Sequence, residues 1–150
     1  MSVSDEKANA ALARFKHKLG DVIVDTVTIT DEMVQLFAKA TGDYNPIHMD
    51  EEYAKRTRFG RRIAHGMLTA GFISQVLAMK VHNEGIYLSQ NLKFMKPVYI
   101  GDTLTAELKL VNFRHRVGVA TFETNVKNQH GDFIVKGEAN IMVVVPEAKS

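Results

Sequence analysis

The sequence predicts an α+β domain in which one long buried helix packs against a curved antiparallel sheet. Three observations carry this. Residues 63–79 contain no Asp, Glu, Lys or Arg. Four stretches after residue 85 alternate apolar and polar side chains with a period of two, as strands wet on one side do. The 150 residues, 45% hydrophobic and 24% charged, suit one domain that buries about 68–70% of its unfolded surface.

Residues 1–19 read as an arm. Leu12, Phe15 and Leu19 have helix-like spacing, and the alternatives are a short amphipathic helix or a frayed surface segment. With Asp5 and Glu6 and no apolar run, the arm is neither a signal nor a transit peptide. The domain proper is read as residues 20–150. Val22 to Thr28 alternate as a strand. Thr30 offers a helix N-cap, and Asp31 and Glu32 complement the dipole of the first turn. Met33, Leu36, Phe37 and Ala40 define the expected apolar face. Gly42 stands where a C-terminal glycine belongs. Asn45-Pro46 forces an extended or turn conformation, and a short polar helix is expected from Asp50 to Arg56. The charge-free run Ile63 to Met79 follows. It approaches the ~20 apolar residues of a membrane span, but its interspersed polar residues and the strands after it favour a helix buried within a soluble fold. The strands are expected over 86–94, 104–110, 120–126 and 133–143, joined by short turns at Gly101-Asp102, Arg116–Gly118 and Gln129–Asp132.

Composition excludes several function classes. The chain has no cysteine, so disulfides, thiolate metal sites and a cysteine nucleophile are absent. A reducing, cytoplasmic compartment is the corresponding expectation. Nineteen Lys+Arg against 17 Asp+Glu is too balanced for a nucleic-acid binder. There is no Walker loop, no GxGxxG and no zinc-type spacing, so neither cofactor nor metal is expected.

The richest segment is Ala40-Thr41-Gly42-Asp43-Tyr44-Asn45-Pro46-Ile47-His48. A carboxylate and an imidazole on the two arms of a stiff turn can converge on one water and move protons to and from it. Ordinary turn chemistry is the competing reading. His65-Gly66-Met67 opens the charge-free run. The first N–H groups of a helix lack internal partners and carry partial positive charge, so the Gly66 amide could serve as an oxyanion donor. A plain helix start is the alternative. Ser74 lies two turns further along roughly the same face, or is a core serine bonded back to a carbonyl. Lys55, Arg56, Arg58, Arg61 and Arg62 form a basic cluster. It suits a phosphate-bearing ligand or a solvated, salt-paired loop.

Residues 40–48, together with Arg62-Ile63-Ala64-His65-Gly66-Met67 and Ser74, resemble the signature of the MaoC-like (R)-specific enoyl-CoA hydratase family. The short single-domain members that feed polyhydroxyalkanoate synthesis are the nearest kind. Weaker similarity runs through 86–94 and 97–102. The resemblance implies a hot-dog fold, an antiparallel sheet wrapped round a long central helix. It implies a homodimer or dimer of dimers with no nucleic-acid or membrane partner, and an acyl-CoA substrate. It also implies reversible syn hydration of a trans-2-enoyl thioester to the (R)-3-hydroxyacyl product. By transfer, Asp43 takes a proton from water, His48 holds that water and delivers a proton to the α-carbon, and the Gly66 amide holds the thioester oxygen. Asn45, Ser74 and His65 are supporting residues. Arg58, Arg61, Arg62, Met67, Phe72 and Tyr87 are candidate substrate contacts, with Met33, Leu68 and Met95 further candidates for the tunnel wall. The alternatives are a 3-hydroxyacyl-[acyl-carrier-protein] dehydratase, a hot-dog thioesterase and a non-catalytic acyl-binding module.

Overall fold

The computed structural model describes residues 2–82 and 84–144. Its elements, in chain order, are α1 (Val3–Arg14), β1 (Val22–Thr28), α2 (Asp31–Thr41), α3 (Pro46–Met49), α4 (Glu51–Lys55), α5 (Gly66–Val76) with a π-helical turn over Leu77–Val81, β2 (Gly85–Phe94), β3 (Thr103–Arg114), β4 (Val119–Lys127) and β5 (Phe133–Val143). The strands form one antiparallel sheet in the order β1-β3-β4-β5-β2.

The period-two pattern becomes a physical face. Leu104, Ala106, Leu108 and Leu110 of β3, Ala120, Phe122 and Val126 of β4, and Val135, Ala139 and Ile141 of β5 all point inward and are buried. They enclose Phe72, Ile73, Val76 and Leu77 of the central helix in one core cluster. A sheet curled round a helix is the hot-dog arrangement. Among the described residues no helix is long and apolar enough to cross a membrane.

Four local readings change. The central helix begins at Gly66 rather than Ile63, because residues 63–64 are spent on the sheet side: Ile63 bridges Tyr99 and the Ala64 N–H donates to the Val98 carbonyl at 2.7 Å. Its surface is not apolar-buried all round. Met67, Gly71, Gln75 and Ala78 form an exposed stripe. In α2 the buried residues are Val34 and Ala38, with Met33 and Phe37 flanking them, while Leu36 and Ala40 are exposed. In β2 a register shift between Tyr87 and Ser89 inverts the expected alternation before it: Tyr87 turns inward, and Ile86 and Leu88 are exposed. After the shift Gln90 and Leu92 turn inward, Leu92 as expected, while Phe94 is exposed.

At the start of the chain, Phe15 is buried in the core cluster. It stacks on Phe113 with centroids 4.9 Å apart, so the arm is fastened at its end. The side chain of Leu12 lies outside the described residues. Thr30 caps α2 as expected, accepting the Met33 N–H at 3.2 Å.

Gly137 sits in the middle strand of a tight triple layer, opposite Thr124 of β4 and Leu92 of β2. A Cβ there would lie 2.0 Å from the Asn91 carbonyl oxygen, a backbone atom that cannot step aside. Gly137→Ala is expected to cost about 3 kcal/mol, the upper end for overpacking. The readout is a lowered urea midpoint, and a wild-type midpoint would contradict the pairing of β2 on β5.

Candidate active site

The site is assembled from two chain segments held together by backbone carbonyls. The first leaves α2. Gly42 ends that helix with φ +79 and donates to the Ala38 carbonyl at 2.8 Å, a left-handed exit that favours glycine. Asp43 follows, and its Oδ1 accepts the Asn45 N–H at 3.2 Å. Asn45 caps α3, its Oδ1 accepting from the Ile47 N–H at 3.2 Å, with Pro46 as the first helical residue. The turn expected at Asn45-Pro46 is thus also a helix start, because proline's fixed φ suits the first helical position. His48 projects from this short helix.

The second segment is the extended stretch before α5. The His48 ring donates from Nδ1 to the Ile63 carbonyl at 2.8 Å, and the Ile63 N–H donates to the Ile47 carbonyl at 3.3 Å. His65, 98% buried, donates from Nε2 to the Asp43 carbonyl at 2.9 Å. Its ring lies between Phe37 at 4.7 Å and His48 at 4.0 Å. The partner of His65 that the sequence left open is therefore the backbone of Asp43.

A carbonyl only accepts, so the Nδ1 of His48 carries its proton and Nε2 is the nitrogen left for a ligand. A carboxylate oxygen of Asp43 and ring nitrogens of His48 and His65 lie within 4.8 Å of one another. Two acceptors bridged by one water at ordinary hydrogen-bond lengths stand ~4.5 Å apart, so the Asp43 carboxylate and the His48 ring lie at about water-bridging range. The same three groups form the set most able to hold a metal. The two rings are tilted by 34°, and each already gives one nitrogen to a carbonyl, which leaves one nitrogen on each ring.

His48, Gly66, Arg58, Phe94 and Lys96 line a cavity of about 260 Å³. A second, apolar cavity of about 560 Å³ is lined by Met67, Ser74, Tyr87, Gln90 and Phe94, among others. Its floor is polar but satisfied. Tyr87 donates to Gln90, whose Nε2 donates to Thr124 at 2.9 Å, and burial pushes the Tyr87 phenol up to about 12. Ser74 therefore lies in the second cavity, apart from His48. Phe72 lies elsewhere again, with Met33 and Leu68, in a cavity beside β1. Arg62 is held by Asp31 and Glu51. Arg61 lies over the Tyr99 ring at 4.1 Å. Of the three arginines, Arg58 is the one that lines the His48 cavity.

The sequence reading missed Ile63, Phe37 and Phe94. Ile63 acts through its carbonyl, which no side-chain pattern reveals. Phe94 could have been found, since it ends the strand that must pass the start of the central helix.

The chain matches the family described as "MaoC like domain" over residues 14–131. It is 44% identical over 117 residues to an (R)-specific enoyl-CoA hydratase of Rhodospirillum rubrum, covering 77% of this chain and 81% of that protein. It is 41% identical over 107 residues to an (R)-specific enoyl-CoA hydratase of Aeromonas caviae, covering 71% and 80%. Among solved structures, an unliganded R-hydratase of Pseudomonas aeruginosa superposes with a TM-score of 0.82 at 38% identity, over 90% of each chain.

Burial holds the His48 imidazole below its ordinary value of 6.5, and the nearby His65 adds to this, while the Ile63 carbonyl and Asp43 oppose. The ring is expected to titrate below 6.5 in an NMR titration of its nitrogens. As pH falls below 6.5, the unfolded chain takes up this proton before the folded one does. The stability that the neutral ring contributes is therefore present above 6.5 and lost as pH drops through the folded-state midpoint. A midpoint above 6.5 would contradict the half-buried placement.

Proposed function

The chain belongs to the MaoC-like domain family, and on that premise we propose that it adds water reversibly across trans-2-enoyl-CoA to give (R)-3-hydroxyacyl-CoA in the cavity at the start of α5. The observation that carries this reading is the approach of the Asp43 carboxylate to His48, which lines the same cavity as Gly66, the first residue of α5.

Asp43 and the neutral Nε2 of His48 accept the two hydrogens of one water, leaving its oxygen lone pair for the β-carbon. As the C–O bond forms, one O–H bond breaks and its proton passes to Nε2. The alkene electrons move onto the thioester oxygen, where the Gly66 N–H and the helix N-terminus stabilise the charge. His48 then gives the same proton to the α-carbon and the carbonyl re-forms. One group serves one face of the substrate, so addition is syn. Asp43 holds the remaining hydrogen and stabilises the imidazolium. The sequence expectation had Asp43 take the first proton. We propose His48 in that role instead, because a neutral ring whose proton is given to Ile63 has none on Nε2 to deliver until it has received one.

Arg58 and Lys96 at the cavity wall suit the phosphates of coenzyme A. Assembly as a homodimer, or a dimer of dimers, is part of the same proposal. It is supported by the exposed stripe on α5 and by Ile86 and Leu88 on the unpaired edge strand β2.

Loss of enoyl-thioester absorbance on trans-2-enoyl-CoA substrates, with chiral analysis of the product, tests the reaction. Asp43→Ala and His48→Ala are each expected to lower kcat by about 10²–10⁴-fold while urea midpoints stay near wild type. Asp43→Asn working at the wild-type rate would overturn the mechanism. The neutral ring is the active form, so kcat/KM should fall on the acid side with a midpoint below 6.5. A profile with no such limb would remove His48 as the base.

A further inference from the structure

We infer that Phe94 is a movable partition between the cavity of His48 and Gly66 and the larger apolar cavity beside Ser74, and that it determines which acyl chains the site accepts. This rests on the hydratase reading and extends it to chain-length selection.

Three observations meet on this ring. Phe94 is the one residue, among those described, that lines both cavities. Its ring covers Gly66 so closely that a Cβ on that glycine would lie 2.8, 3.1 and 3.3 Å from three of its carbons. It also borders open space. Phe94 is half exposed and ends β2, which is paired on one side alone. A thioester whose oxygen accepts from the Gly66 N–H has its α- and β-carbons beside this ring. A four-carbon chain ends within the 260 Å³ cavity. A longer chain must enter the 560 Å³ cavity, which follows α5 from Met67 to Ser74, and the ring stands across that route. The absence of a side chain at Gly66 is then explained by Phe94 as well as by the oxyanion.

The test compares kcat/KM for crotonyl-CoA and trans-2-octenoyl-CoA in wild type, Phe94→Ala and Phe94→Leu. Phe94→Ala should raise the octenoyl-to-crotonyl ratio about tenfold, within the range that pocket size alone confers, and Phe94→Leu should raise it less. Gly66→Ala should lose less activity in the Phe94→Ala background than alone, a non-additivity that marks direct contact. A ratio within about twofold of wild type in both variants overturns the partition.

The chain contains no tryptophan, so Phe94→Trp installs a single tryptophan, excited selectively over the tyrosines, that reports without turnover. Octanoyl-CoA should shift its emission and butyryl-CoA should not. If wild type hydrates neither enoyl-CoA, the hydratase reading falls, while a shift with octanoyl-CoA still sustains the partition. No shift with saturating octanoyl-CoA overturns it.

Discussion

The hydrogen bond from His65 Nε2 to the carbonyl of Asp43 is the constraint on which the site depends. It joins residues 22 positions apart, fastening the exit of α2 to the threshold of α5. Asp43 itself is exposed, and its bonds to Thr41 and Asn45 tie it only within its own turn. The bond from His65 ties it beyond that turn, and burial of His65 beneath Phe37 and His48 shields the bond from water, where it would be worth less. The bond from His48 to the Ile63 carbonyl and the return bond from Ile63 to Ile47 complete a clasp. The residues of the proposed pair are thus tied through the main-chain oxygens of Asp43 and Ile63.

The clasp has its own foundation in the connection between β2 and β3. Residues 63–65 are extended because Ile63 pairs with Tyr99 and Ala64 donates to Val98, and the 98–102 turn is braced by Asp102, which accepts from Tyr99 and Gln129. The central helix can start only where that pairing stops, at Gly66. Behind it, Ile73, Val76 and Leu77 are seated against β3, β4 and β5. Burial of such side chains is worth roughly 1.5–3 kcal/mol each, so the helix that begins at Gly66 is firmly anchored in the core.

Much of this was legible in the chain itself. Strand periodicity located β3, β4 and β5, Thr30 and Gly42 marked the ends of α2, and the turn between Asp43 and His48, which its residues alone leave open to ordinary turn chemistry, stood out through its resemblance to a family signature. The losses share a cause: they depend on atoms that sequence patterns do not register. The bulge in β2 shifts which side chains face inward without changing the alternation on paper. The rotation of α2 that exposes Leu36 is set by its seat on the core. Arg62 looks like its neighbours in a basic run until the fold brings Asp31 and Glu51 to it. Phe72 matches the apolar character of a tunnel wall, but it falls on the far side of the helix.

The left-handed exit at Gly42 makes α2 a ruler. Its Thr30 cap fixes one end against the loop before it, and its glycine fixes where the other end releases Asp43. An α-helix turns by about 100° and climbs about 1.5 Å with every residue. Adding or deleting one residue between Thr30 and Gly42 would swing the carboxylate a quarter of a turn away from His48 while leaving every chemical group in the protein intact. The length of this helix is therefore as much a part of the chemistry as the acid it delivers, and variation by insertion is closed to it even where each of its exposed side chains is free to change.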